Sequence, residues 1–485
     1  MSPIRKFLAL ALLALAIPLF AADDDRFELK FGRDLPFRGG RVTIEHGFGP
    51  LVVRTHAGND VQVRATIRSS DDEFGKQIRI VTSAEAGGVT VRTEYPQTRG
   101  FSPRNLSYSV DMSVMIPANA PLTARNLFGN IDVRGLQTAS TIENKQGSIQ
   151  FADGRGAHTI GNAFGAVKVE GNQGNLTVTN TNGSVDVRNV DGVLNVANRF
   201  GSVDVADVKN ATTIVNANGS IAAMDIGGSL KATNAFGNIK ASTITGSADV
   251  TTSNAQVQLS NVSGAAVVRN SFGAVVVETV RGNLTVDGQN SKVEVSDIGG
   301  DAKIDTAFGG VTVKDVTGRA TITSANGNIV ASDIGGTLDA EARFGTVQAE
   351  RIRGGTKIKS ANGGVTLTDL SSGAQVTATF GPVFVDRVTG PIAIANANGS
   401  ISVAGLRSKG CQPLALTTSF SSIKVTLPAE SGYDVNARTS FGRINSDLPV
   451  KTRTFAESAL VGTIGSGGCR LDLVNANGNI TIGKE

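Results

Sequence analysis

Few side chains in this sequence could do chemistry, and those that could recur at fixed intervals. Asp297, Asp315 and Asp333 stand 18 residues apart, and after Arg351 the series resumes at Asp369. Stacked on neighbouring strands, such carboxylates would lie about 4.8 Å apart and could share a Ca²⁺, which takes several oxygen ligands. A structural role competes with this. Asp297-Ile298-Gly299-Gly300 and Asp333-Ile334-Gly335-Gly336 place the acid just before a corner, where an Asp side chain shapes a turn. The Gly-Gly-x-Gly-x-Asp run of calcium-binding β-rolls is missing. The turn is therefore the expectation, with Asp297, Asp315 and Asp333 kept as candidate metal ligands. The three histidines, His46, His56 and His158, do not pair at metal-ligand spacing on one element. No Gly-x-Ser-x-Gly elbow, phosphate-binding loop or zinc signature is present, so neither catalytic residues nor a cofactor is expected.

The aromatic residues keep stricter time. Phe-Gly pairs begin at Phe128, Phe164, Phe200, Phe236, Phe272, Phe308, Phe344 and Phe380, every 36 residues without an insertion or deletion. Halfway between them stand Gln146, Asn182, Asn218, Asn254, Asn290, Asn326, Asn362 and Asn398, so the true unit is 18 residues. Two roles are open to such a Phe column. The rings could form an exposed track with a step of about 9.6 Å, suited to stacking on sugars. Alternatively they fill core or corner space against the Asn on the coils between, because alternating large and small residues let stacked layers interdigitate. The second role is the expectation. Asn126, Asn144, Asn162, Asn180, Asn198, Asn216 and Asn234 also recur every 18 residues, and are expected to shape a turn or form an amide ladder.

What must hold these columns in line is a stack of similar coils. With each coil numbered from its Phe or Asn (once Gln), the fourth position is Val or Ile in all 16 coils from Phe128 to Asn398. The ninth is aliphatic in 14, with Gly154 and Asn172 the exceptions, and glycine fills the second position in 14 and the eleventh in 12. The aliphatics at four and six reappear nine residues on, as in Leu176-Thr177-Val178. Such Val-x-Val runs are strand alternation, apolar inward and polar outward, and Gly supplies the positive φ of tight corners. One coil cannot bury its few aliphatics alone, whereas stacked coils bury them in a continuous core and pair their backbones. The fold expected is all-β: a right-handed parallel β-helix, or β-solenoid, of 18-residue coils with irregular N- and C-terminal caps. Its hand follows the usual parallel crossover. Fifteen steps of about 4.8 Å make a shaft of roughly 70 Å. Whether two sheets or three line the core is left open by the ninth position.

Residues 1–22 resemble a secretory signal: Arg5 and Lys6, an apolar stretch from Phe7 to Phe20, then Ala21 and Ala22 ahead of Asp23-Asp24-Asp25. The apolar stretch is too short to span a bilayer comfortably, and no later segment resembles a span. The chain is expected to be exported and cut near Ala21 and Ala22, residing in the periplasm, at the cell surface or in the medium. In an exported chain the two cysteines, Cys411 and Cys469, form a disulfide by default, two free thiols being the alternative. Without Arg5 and Lys6 the chain carries 44 basic against 42 acidic residues, alternating along the shaft, so nucleic acid is not an expected partner. The beat places an N-terminal cap with the first irregular coils at 23–122, the regular solenoid at 123–403, and C-terminal coils and a cap at 404–485.

The caps carry a family resemblance. Ser109-Val110-Asp111-Met112-Ser113-Val114-Met115-Ile116-Pro117, followed by Leu122-Thr123-Ala124-Arg125-Asn126-Leu127-Phe128-Gly129-Asn130-Ile131, resembles the opening of the bacterial putative-adhesin domains of unknown function, a β-helical adhesin-like repeat family. Ile423-Lys424-Val425-Thr426-Leu427-Pro428, Thr439-Ser440-Phe441-Gly442-Arg443-Ile444 and Asn477-Gly478-Asn479-Ile480-Thr481-Ile482 resemble its end. The resemblance implies an exported or envelope-associated β-helical protein and supplies no catalytic residues. The long regular middle departs from it. The expected function is that of an exported, non-catalytic, adhesin-like structural or binding protein, presenting a polar β-solenoid surface to a surface glycan or an envelope protein. The alternatives are a carbohydrate-active β-helix of lyase or hydrolase type, and an envelope-associated accessory protein whose residues 23–122 bind a partner. The outward positions, mostly Ser, Asn, Thr, Ala and isolated charges, lack the convergent acid and base that bond cleavage needs.

Overall fold

A computed structural model describes residues 27–85, 87–97, 106–407 and 411–485. The leader at 1–22, with its cleavage point near Ala21 and Ala22, lies outside the described residues. Each coil folds as its alternation requires. In the coil opening at Asn182, a strand Val185–Val190 and a strand Leu194–Phe200 are joined by short corners. Val185, Val187, Val190, Leu194, Val196 and Asn198 are buried, and the residues between them point outward. Both strands pair in parallel with their equivalents 18 residues on, Val185 with Val203 and Leu194 with Thr212. The result is an all-β solenoid of two parallel sheets facing each other across one aliphatic core. The ninth position is not a third face, because Val190 pairs with Val208 as the last residue of the first-sheet strand.

Positions six and nine can both point inward because position eight is left-handed in every regular coil. Its φ lies between 54° and 60° where Asp, Asn, Thr or Arg fills it, and Gly135, Gly171 and Gly405 fill the remainder. Asp and Asn tolerate this conformation because their short polar side chains bond locally. The recurring Asp of the sequence thus marks a backbone kink. The corner glycines divide their work. Gly201 has φ +118°, and a Cβ there would sit 2.3 Å from the Gly183 carbonyl oxygen. Gly192, at position eleven, has no positive φ; a Cβ there would meet the Gly174 carbonyl carbon at 2.1 Å. At most eleventh positions, therefore, close stacking of coils excludes a side chain, rather than the turn conformation expected from sequence.

At both ends the stacking order departs from chain order. Arg41–Phe48 and Leu51–His56 make a complete coil paired directly to the first regular one, with Phe48 opposite Phe128. Gly88–Glu94 and Tyr108–Pro117 stack outside it. Phe27–Pro36, Asp60–Ser69 and Arg79–Glu85 then close the sheets with antiparallel pairings. The C-terminal end mirrors this. Cys469–Asn477 and Ile480–Lys484 slot between coil 414–427 and coil 433–446, and the hairpin of Val450–Ala456 and Ala459–Ile464 covers the last second-sheet edge antiparallel. Such antiparallel covers stop the sheets from templating further parallel strands. A disulfide joins Cys411, in the loop leading into Leu414–Phe420, to Cys469 at the start of the inserted coil, with Cα atoms 5.8 Å apart.

Candidate functional site: an exposed phenylalanine ladder

Position one ends each second-sheet strand, at the corner that leads back to the first sheet. Position seventeen fixes that corner. Asn198 is buried, and its Nδ2 donates to the carbonyls of Gly183 and Gly201 at 3.2 and 3.1 Å, binding one coil's corner to the next. Asn162, Asn180, Asn216 and Asn234 make the same double contact. The backbone is paired through the corner as well, Gly183 N–H donating to the Phe200 carbonyl at 2.8 Å and Gly201 N–H to that of Asn218 at 2.9 Å. These asparagines shape a turn, one of the two roles expected of them.

With positions fifteen and seventeen inward and the chain turning at Gly, the side chain at position one has only an outward direction. The eight Phe of the sequence beat are 39–54% exposed. This overturns the expectation that they fill core or corner space. The interior is a thin layer of Val, Ile, Leu and Ala with no slot for a repeated ring. Phe151, at position six, shows what burying one requires: Gly154 replaces the aliphatic at position nine, where a Cβ would meet the Phe151 ring at 2.5 Å.

The alternation is more complete in space than in sequence. The linear beat breaks after Phe380, yet the stacked rungs continue Asn398, Phe420, Asn477, Phe441, because the inserted coil supplies the missing Asn. From Phe128 to Phe441 every second rung is Phe. Beyond Phe128 lies Phe48, its ring stacked on that of Phe128 at 4.8 Å and 3°. Tyr95 and Tyr108 pack edge-on against Phe48 at 5.1 and 5.0 Å and close this end. Neighbouring rungs can therefore both be Phe, so contact between rungs does not impose the alternation.

The strip around the ladder has a one-sided charge that sequence reading missed. Positions eighteen to three, from the Phe48 rung to the Phe441 rung, carry Lys145, Arg199, Lys292, Arg343 and Arg443 and no Asp or Glu. All five are exposed. Lys292 pairs with Glu294 at 2.5 Å, and Arg199 lies over the Phe200 ring, 5.4 Å from its centroid. The other three have no carboxylate partner among the described residues, nor has Arg199. Summing charge by coil position, rather than along the chain, would have found the strip.

The opposite corner holds the candidate metal ligands. Asp297, Asp315 and Asp333 stack at the left-handed position eight. Asp333 accepts from Arg351 Nε and Nη2 at 2.6 and 2.8 Å, and Asp369 from Arg387 Nε and Nη2, both at 3.0 Å. The Arg351 guanidinium holds the Asp333 carboxyl below its ordinary range. With Arg353 and Arg407 these acids line a shallow groove of about 810 Å³. Among the described residues no group of three or more His, Cys, Asp or Glu is placed to hold a metal ion. The histidines stand apart. His46 takes position seventeen of the first coil, in register with Asn126, where burial pushes its pKa down to about 4. His158 is buried, with Nδ1 2.7 Å from Ser140 Oγ and Nε2 2.9 Å from the Arg155 carbonyl; burial lowers its pKa as well. His56 Nε2 lies 2.8 Å from the Asp60 carbonyl.

Residues 336–483 match the family model described as Toastrack DUF4097. The match begins among the regular coils and runs through the interleaved C-terminal end. Among solved structures the chain is similar to a protein from Clostridium sporogenes described as a putative cell adhesion protein, at 6% identity and a TM-score of 0.17, over 95% of this chain and 100% of that one. No curated protein matches. No helix among the described residues is long and apolar enough to cross a membrane.

Proposed function

We propose that the chain is an exported, non-catalytic, adhesin-like protein, a stiff rod whose Phe ladder is its contact surface. The observation that carries this is the ladder itself: half-exposed rings on a rigid frame, at every second coil from Phe128 to Phe441. Exposed apolar residues scattered singly need no explanation, whereas these are aligned in one file along one corner. One ring contributes little, but linked weak contacts gain roughly 10²–10⁴ in avidity when they engage together. The signal-like leader supports export, and the Cys411–Cys469 disulfide fits an oxidising compartment.

The test is retention of the purified mature chain on bacterial cell envelopes, compared with a Phe236→Ser, Phe272→Ser, Phe308→Ser variant of unchanged circular dichroism. The wild-type chain is expected to be retained, and the variant at least tenfold less. Equal retention of both removes the ladder as the contact surface. Release of reducing or unsaturated sugar ends from the envelopes makes the protein an enzyme instead.

A further inference from the structure

We infer that the ladder's ligand is an extended acidic polysaccharide lying along the corner; this rests on the reading of the ladder as the contact surface. Period is the first ground. The Phe step is two coils, about 9.6 Å, and the stacked Phe48 and Phe128 rings show that a one-coil step is sterically open. The two-coil step therefore answers to something outside the rod. In an extended pyranoside chain each sugar advances about as far as one coil, and successive sugars turn opposite faces outward. Such a polymer returns the same ring face to the rod at every second coil, where a Phe stands. The intervening sugar meets Asn182 or Asn218, whose amides both donate and accept toward hydroxyls.

Charge is the second ground. The strip itself carries five exposed cations and no carboxylate, and Arg199 and Arg343, flanking Phe200 and Phe344 and without a carboxylate partner among the described residues, can pair with the carboxylates of an acidic chain. The same count disfavours a nucleic acid, which presents a phosphate at every nucleotide and binds through densely basic grooves.

The probes are poly-β-mannuronate and, as a neutral chain of the same linkage geometry, hydroxyethylcellulose, with binding measured by calorimetry across salt concentrations. The wild-type chain is expected to bind the polyuronate at least tenfold more tightly at low salt, the gap narrowing as salt rises. The triple Phe→Ser variant loses both ligands. An Arg199→Gln, Arg343→Gln variant, changed only at exposed positions, keeps the neutral chain and shows a smaller preference for the polyuronate; an unchanged preference overturns the pairing. Equal binding of both polymers by the wild type overturns the acidic assignment. Envelope retention that depends on the Phe residues, without binding of either polymer, overturns the glycan and leaves the contact surface standing. Tighter binding of single-stranded DNA, or a ladder-dependent dimer in sedimentation, overturns it as well.

Discussion

At the scale of single residues, the two kinds of Phe separate burial from display. Phe151 fills the core beside Gly154, whereas Phe236 stands half out of a corner. Phe151→Ala is expected to cost about 3–5 kcal/mol and Phe236→Ser about 1 kcal/mol or less, read from urea midpoints. His46 links stability to pH. Its pKa is about 4 in the fold against 6.5 ordinarily, so as pH falls the unfolded chain takes up the proton first. The stability from a neutral His46 is whole above pH 6.5, drains away between 6.5 and 4, and levels below, a change of roughly 3 kcal/mol. His158, also shifted down by burial, adds in the same direction. His46→Asn installs the residue that Asn126 supplies in the neighbouring coil, and is expected to flatten the fall in melting temperature between pH 7 and 4.5. An unchanged fall assigns the acid sensitivity to other groups.

At the scale of elements, the coil is held by two corners of different design. One turns through Gly and is stapled by buried Asn; the other turns through a left-handed residue that is usually not Gly. A β-branched side chain is strained there, and Thr243 and Thr279 carry φ of 57°. Thr243→Asn and Thr279→Asn are expected to stabilise by roughly 0.5–1 kcal/mol each, judged from the cost of left-handed backbone, in chemical denaturation. Gly201→Ala is expected to lower the urea midpoint sharply, because it combines φ +118° with a Cβ 2.3 Å from the Gly183 carbonyl oxygen. The inward columns were legible in sequence because strand alternation is local. The left-handed column was legible only as a recurring Asp, open to a metal-site reading, since residue type does not reveal φ when Asn, Thr and Arg occupy the same place.

At the scale of the whole molecule, the ends are interlocked rather than appended. The coil 433–446 owes its parallel partners to the later coil 469–484. Deleting residues 469–485 is therefore expected to expose 433–464 to hydrogen exchange as a block, while the regular coils around 182–326 stay protected, as nearest-neighbour stacking requires. Protection of 433–464 in the truncated chain would show that it pairs without the inserted coil. By itself the sequence determined the 18-residue coil, its inward aliphatics and its parallel stacking, because period and alternation are properties of adjacent residues. Only the tertiary structure decided that the Phe column faces solvent, since a corner side chain's direction is set by the Asn staple, the Gly turn and a core too thin to admit it. It also decided that the Phe–Asn alternation survives the broken beat, because strand pairing follows space and not chain order.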